Sequence, residues 1–462
     1  MIDPKGLLSY QVAPANALLA SLAKHRSALD ASDMGVGKTY TAGAVIRALN
    51  RPTLVVGPKV SRAGWERMGQ HMGVEFDYIN YEMVRTGRSP YGKWVEDLRG
   101  RDAVKHFHWH PGIKHLVFDE AHRCTSLEDT LQTKLLIAAR RMQIPTVALS
   151  ATIAETPLNF HALGYLLGLH HLEDDWRYWA MEHGVRYDIV NGLHFTKDRA
   201  EQQEVLKKLH GTLFPDRGCR VRITDLPDFP KCKIMVQLVH IMEPSRMNKL
   251  FEEMQPAIEA VRAGRRFTLD ERAKLLFAWQ ESELLMIPIY VELAKDAVAS
   301  GKHVALFVNF RASVRELCRL LNTQCFVDGS QVGANGARRR QANIDAFQAD
   351  KEPFIICTSA GSESIGLHDV RGEFSRLGIV SLGWSAQKAR QAFGRLPRNG
   401  SLSSSLYICP LAAGTVQESI HRCVTAKLDR MDMLNDGDLI PGGNLPVSEL
   451  TEPIECDTEG GE

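Results

Sequence analysis

The chain has 462 residues, which at a loose prior of about 150 residues per domain suggests two or three domains. Hydrophobic residues make up 44% and charged residues 24%, as in ordinary globular proteins, so a chain disordered throughout is excluded. Lys plus Arg number 56 against 55 for Asp plus Glu, which excludes a histone-like polycation but leaves room for a local basic stripe.

No apolar stretch reaches the roughly 18 residues of a membrane helix, and the start, MIDPKGLLSYQ, lacks a signal-peptide layout. The nine cysteines include no CxxC pair and no zinc spacing, and read as reduced thiols of the cytoplasm or nucleus. An intracellular protein with no membrane segment is expected.

In chain order, the first informative segment is SDMGVGKTYTA (32–42), which runs into the helical pattern YTAGAVIRALN (40–50). Gly35 and Gly37, with Val36 between them, let the backbone turn its N–H groups toward phosphate oxygens. The helix opening near Lys38 adds its positive end. Lys38 is placed to reach the β- and γ-phosphates of ATP, and the Thr39 hydroxyl to hold Mg2+. Ser32 stands where the general pattern has its first Gly, so only the core GxGKT is intact.

Apolar runs of strand length follow at TLVVG (53–57), KHLVFDE (114–120) and PTVALS (145–150). A second group lies at HVALFVN (303–309), PFIICT (353–358), LGIVSL (377–382) and SLYIC (405–409). Such continuous runs suit strands buried on both faces of a parallel sheet. Helical patterns lie between them, for example RASVRELCRLLN (311–322). Alternation in two blocks predicts an α/β fold of two doubly wound parallel-sheet lobes.

Residues 160–300 read as mostly helical, with amphipathic runs at 199–210, 245–262 and 270–299. They hold one expected strand, KIMVQLVHI (233–241), after the Pro-rich DLPDFPK (225–231). The expected division is lobe one at 1–232, a connector strand and helices at 233–300, and lobe two at 301–440. Residues 441–462 read as an acidic, disordered tail.

LVFDEAH (116–122) sets two carboxylates at the end of an apolar strand. Asp119 at the strand tip suits Mg2+, and Glu120 beside it suits the polarisation of an attacking water. His122 is placed to link this site to its surroundings. LSATIAETP (149–157) brings Ser150 and Thr152 after the next strand, where a helix N-cap role is compatible with a functional one. In QKARQAFGRLPRNG (387–400), Gln391, Arg395 and Arg398 recur three to four residues apart, the spacing of one helix face. Planar guanidinium groups suit a γ-phosphate.

KHFHWHPGIKH (105–115) carries His106, His108, His110 and His115. No Cys or carboxylate lies inside this cluster, so it is read as the loop ahead of the DEAH strand rather than as a metal site.

The order GKT, DEAH, SAT and QxxGRxxR resembles that of superfamily 2 helicases and translocases. Finer features are similar to the Swi/Snf-type DNA translocases: MGVGKT, the Tyr10-Gln11 pair, LVVGPKVSRAGW (54–65), INYE (79–82) and DLPDFPK. FVNFRASV (307–314) looks like motif IV and CTSAGSESIGLHDV (357–370) like motif V. GLHDV with the QKARQAFGRLPRNG run is also similar to helicases of viruses and phages. The resemblance covers roughly residues 7–430.

It implies two RecA-like lobes, with ATP in the cleft between them and nucleic acid across both. It implies that Gln11 reads the adenine and that Gly35, Val36, Gly37, Lys38 and Thr39 hold phosphates and Mg2+. Asp119 and Glu120 would serve metal and water, His122, Ser150 and Thr152 would couple the lobes, and Gln391, Arg395 and Arg398 would close on the γ-phosphate. Three departures stand out: Ser32-Asp33 in place of an acidic pair, LSATIAETP in place of an LTGTP-like third motif, and PRNGS at the end of motif VI.

Lys59, Arg62, Arg311, Ser359 and Ser364 are the expected phosphate contacts on the nucleic-acid side. Arg338, Arg339 and Arg340 read as a solvated helix face. No sequence-reading module is evident. Binding is therefore expected to be independent of sequence, and the resemblance implies DNA, duplex or branched, as the partner, with specificity conferred by a protein partner. The chain itself is expected as a monomer. RNA unwinding, or nucleotide-gated binding with little turnover, are the alternatives.

Overall fold

Every strand expected from an apolar run is a strand in the computed structural model, which describes residues 1–99, 102–126, 130–171, 173–189, 192–256, 268–358, 365–439 and 444–446. The chain first forms β1 (Ser27–Asp30), β2 (Thr53–Gly57) and β3 (Asp77–Asn80), then the hairpin strands β4 (Gly92–Arg99) and β5 (Asp102–Trp109). β6 (His115–Asp119) and β7 (Thr146–Leu149) follow, then the ribbon β8 (Val185–Asp188) and β9 (Gly192–Phe195), and the short β10 (Gly218–Cys219). A second series comprises β11 (Cys232–Val239), β12 (Lys302–Val308), β13 (Phe326–Val327), β14 (Phe354–Thr358), β15 (Ser375–Val380) and β16 (Ser405–Ala412).

Two six-stranded sheets result, ordered β10-β1-β7-β6-β2-β3 and β11-β16-β15-β12-β14-β13. Every strand pairing within them is parallel. β2, β7 and β14 are buried along their whole length, as strands covered by helices on both faces must be. Each Val, Leu or Ile so enclosed contributes about 1.5–3 kcal/mol. The fold is α/β with two doubly wound parallel sheets.

The chain divides into two units, each with its own sheet. The first holds Met1–Tyr187, Leu193–Pro227 and Arg430–Leu439, and the second Asp188–Gly192, Asp228–Asp429 and Ile440–Glu462. The C-terminal helix Val416–Asp436 thus begins in the second unit, and its last residues pack in the first. Met433 and Leu434 join the core of the first unit with Phe118, Leu135 and Phe160. In the second unit the core gathers Tyr290, Leu306, Leu317, Ile356 and Ile379.

Several elements differ from expectation. The histidine segment is not a loop: Asp102–Trp109 is a strand paired antiparallel with Gly92–Arg99. Its period is two, with Phe107 and Trp109 buried and His108 turned outward. An edge-to-face chain of Trp94, Phe107, Trp109 and Phe118, at ring separations of 5.0, 4.7 and 6.0 Å, fastens the hairpin to the DEAH strand. Among the described residues no group of three or more His, Cys, Asp or Glu could hold a metal.

Among the described residues, the region 160–300 carries three strands beyond the one expected, β8, β9 and β10. Its strand β11 pairs with β16 and is an edge of the second sheet. The expected helix 270–299 is two helices, Leu269–Leu285 and Ile287–Ala299, because Pro288 has no N–H to continue the first. The expected helix at 245–262 is seen as Pro244–Glu252, and 257–267 lie outside the described residues. So does most of the acidic tail, 440–443 and 447–462. No helix among the described residues is long and apolar enough to cross a membrane.

Candidate nucleotide site and its flanking motifs

β1 lies between β10 and β7 in the first sheet, and the chain leaves its C-terminal end through Ala31–Gly37 into the helix Lys38–Leu49. Gly35 and Gly37 have φ of 83° and 89°, a left-handed backbone that glycine adopts without strain. The loop ends at the helix N-terminus, whose free N–H groups form a ready anion site. Lys38 Nζ donates to the carbonyls of Ser32, at 2.8 Å, and Asp33, at 3.0 Å. Burial pulls the Lys38 ammonium below its usual range, against the charges of Asp30, Glu120, Asp33 and Asp119. A phosphate would give this enclosed cation a stronger partner than two carbonyls.

Gln11 lies in the first turn of the helix Ser9–His25. Its Oε1 accepts from Leu8 N at 2.9 Å, and its Nε2 donates to Val36 O at 2.8 Å. Tyr10 OH donates to the same carbonyl at 3.1 Å. Here the Tyr10-Gln11 pair braces the phosphate loop. A Cβ at Gly37 would collide with the Gln11 amide, so this contact and the left-handed turn both demand glycine there.

Asp119 closes β6, a neighbour of β7, which pairs with β1. Its Oδ2 accepts from Trp65 Nε1 at 3.0 Å, and its backbone carbonyl accepts from Tyr81 OH at 2.8 Å. Burial first, then the charge of Glu120, pushes Asp119 up to about 6. Glu120 itself is left-handed, at φ 53°, a conformation that costs a non-glycine residue and tends to persist at functional sites. His122 Nδ1 lies 3.3 Å from Glu120 Oε2, 3.1 Å from Ser150 Oγ and 3.4 Å from Thr152 Oγ1. The imidazole thus links the DEAH carboxylate to the SAT loop after β7. Thr39 and Asp119 offer hard oxygen donors, the kind that magnesium prefers. A divalent cation would also relieve the repulsion between the two carboxylates.

Gln391, Arg395 and Arg398 lie in the second unit. They do not share a helix face: the helix is Ala386–Phe393, and both arginines lie beyond it. Pro397 disfavours helical backbone at the residue before it, and Gly394 ends the helix. The arginines still converge, as Arg395 Nη1 and Arg398 Nη2 donate to Ile365 O at 3.4 and 2.9 Å. Gln391 and Arg395 are buried.

Lys59 is exposed after β2, and Arg62 forms an exposed ion pair with Glu66 at 2.8 Å. Such a pair is worth only a few tenths of a kcal/mol and yields readily to a phosphate. Arg311 opens the helix Arg311–Leu320 after β12. Ser359 and Ser364 lie outside the described residues.

Sequence reading missed three supports. Trp65 and Tyr81 stood inside LVVGPKVSRAGW and INYE, yet no local pattern says that they hold Asp119. Glu283 is buried and accepts from Asn309 N, Phe310 N, Ser313 Oγ and Ser381 Oγ at 2.6–3.1 Å. It fixes the loop of motif IV, and its partners lie 26 to 98 residues away in sequence.

A parallel sheet that presents a GKT loop beside a strand-end DEAH pair defines a P-loop ATPase of the helicase class. A provisionally named ATP-dependent RNA helicase of Acanthamoeba polyphaga mimivirus is 30% identical over 97% of this chain and 88% of the viral protein. The chain belongs to the superfamily 2 helicases, and within them it is similar to Swi/Snf-type ATPases. The ISWI chromatin-remodeling complex ATPase of Arabidopsis thaliana is 24% identical over 78% of this chain, a match that spans 36% of the plant protein. A solved Sulfolobus solfataricus SWI2/SNF2 ATPase core, in complex with double-stranded DNA, aligns at a TM-score of 0.35 with 17% identity over 93% of both chains. No family model matches the chain.

Proposed function

We propose that the protein couples ATP hydrolysis to movement along DNA, duplex or branched, without reading its sequence. The observation that carries this reading is the enclosed set of Lys38, Asp119 and Glu120, tied through His122 to Ser150 and Thr152. A binding switch has no need of a water-activating carboxylate, whereas Glu120 is present and linked to a loop outside the phosphate site. Magnesium held by Thr39 and Asp119 would neutralise charge on the β- and γ-phosphates. Lys38 grips the same phosphates, Glu120 takes the proton of the attacking water, and Arg395 and Arg398 balance the charge that develops on the γ-phosphate. Gln11 would turn from Val36 O toward the adenine.

On the nucleic-acid side the reading gives Lys59, Arg62, Arg311, Ser359 and Ser364 the phosphate backbone. A protein partner would supply specificity. An RNA helicase is the second reading, and the name of the viral relative favours it.

Displacement of a third strand from a DNA triplex tests the proposal directly. The account expects ATP-dependent displacement from duplex DNA, absent in Lys38→Ala. Displacement that needs no ATP, or unwinding of RNA duplexes with no movement on DNA, would contradict it.

A further inference from the structure

Within the first unit, the end of the C-terminal helix is joined through Arg220 to the loop that carries GKT. Arg220, just after β10, is the centre of this joint. Its Nη1 donates to Ala31 O at 2.7 Å and lies 2.7 Å from Asp33 Oδ1. Its Nε and Nη2 grip the Asp436 carboxylate at 2.6 and 3.0 Å. The Arg220 and Asp436 side chains are each only 7% exposed.

Backbone contacts tie the same segments together. Val221 N donates to Ser32 Oγ at 3.0 Å, Asp33 N to Val221 O at 2.9 Å, and Ile223 N to Asp33 Oδ2 at 2.9 Å. One residue before Asp436, the buried Asn435 donates to Ala151 O at 3.1 Å, between Ser150 and Thr152. The joint therefore touches both the loop that leads to GKT and the SAT loop that His122 links to Glu120. It also encloses Ser32 and Asp33, whose carbonyls hold Lys38.

Stability alone explains this cluster poorly. Removing an arginine and two carboxylates from water costs as much as their attraction returns, and apolar side chains would pack there at least as well. What a forked, fully satisfied guanidinium adds is geometry. Burial opposes the Arg220 charge, and Asp33 and Asp436 more than offset it, so the fork stays charged.

We infer that Arg220 and Asp436 are positioning residues for the ATP reaction: they hold Ser32 and Asp33, and through them Lys38 and the phosphate loop, in the shape that receives the phosphates. This rests on the reading of Lys38 as a phosphate ligand.

Steady-state ATP hydrolysis by the full chain tests it, in wild type, Asp436→Asn and Arg220→Lys, well below each unfolding midpoint. A loosened phosphate loop binds ground state and transition state less well alike, so KM should rise while kcat stays within about twofold. The expected rise for Asp436→Asn is about 5–30-fold, the factor that one or two kcal/mol commands. Arg220→Lys keeps a charge but loses the fork, and should show a smaller rise in the same direction. Asp438→Asn is the control, because Asp438 pairs with Arg222 at 3.2 Å on the exposed side of the joint. It should match wild type.

Wild-type KM and kcat in both Asp436→Asn and Arg220→Lys, whatever their unfolding midpoints, would overturn the inference. If Asp436→Asn does not fold, Arg220→Lys decides alone. A wild-type chain that neither binds nor turns over ATP would instead sink the nucleotide-site reading itself.

Discussion

Lys38 and Glu120 were legible because their chemistry needs adjacent residues: a glycine turn runs straight into the lysine, and an apolar strand runs straight into the acid pair. Lys38→Ala should abolish ATP turnover, and Glu120→Gln should keep ATP binding while turnover falls about 10²–10⁴-fold, the usual worth of a general base. Nucleotide-binding titrations beside steady-state rates check both, and normal turnover in either variant would remove the assignment. The pH profile is a second test at this scale. Asp119 is pushed up to about 6 by burial and by Glu120, so the charge with which it would hold magnesium is lost as pH falls through that value. At low magnesium kcat/KM should therefore decline below about pH 6, and added magnesium should move that limb to lower pH. A limb that ignores magnesium would assign the titration to another group. Trp65 and Tyr81, by contrast, could not be read as supports of Asp119. Their hydrogen bonds span 54 and 38 residues, and only folding brings them together.

Strands buried on both faces were the most legible elements, because a run such as TLVVG has only one comfortable environment. β1 was hidden, since SALD has no apolar run: Ser27 and Asp30 are buried polar residues within it. The β4–β5 hairpin was hidden by its histidines, although Phe107 and Trp109 alternate with them at the period of a strand. Trp109 is fully enclosed, and its Nε1 donates to Leu135 O at 3.2 Å. Trp109→Ala should cost about 3–5 kcal/mol, the range for large aromatic truncations, read as a lower unfolding midpoint; an unchanged midpoint would mean that the hairpin is not fastened through this ring. Glu283→Ala should destabilise the second unit by about 3 kcal/mol or more, because it strands several buried donors at once. Its two backbone donors, Asn309 N and Phe310 N, sit where the helix bearing Arg311 begins. The helix-face reading of Gln391, Arg395 and Arg398 failed on Gly394 and Pro397, both visible in the sequence and decisive for the backbone. The pairing of the arginines survived because both reach one carbonyl from the turn.

For the molecule as a whole, two strand–helix blocks gave two parallel sheets, and the motif order gave the family. Arg220 and the last turns of the C-terminal helix could not be foreseen. Asp33 and Asp436 lie 403 positions apart in the numbering, yet one guanidinium holds both. Nucleic-acid binding through phosphates should weaken steeply with salt, in proportion to the contacts made. The most direct test of ATP-driven movement on DNA is the rate of ATP hydrolysis at one fixed salt concentration. It would be measured without nucleic acid and then with single-stranded DNA, duplex DNA, a branched fork and RNA. The account predicts strong stimulation by duplex or forked DNA; turnover unchanged by any nucleic acid would contradict it.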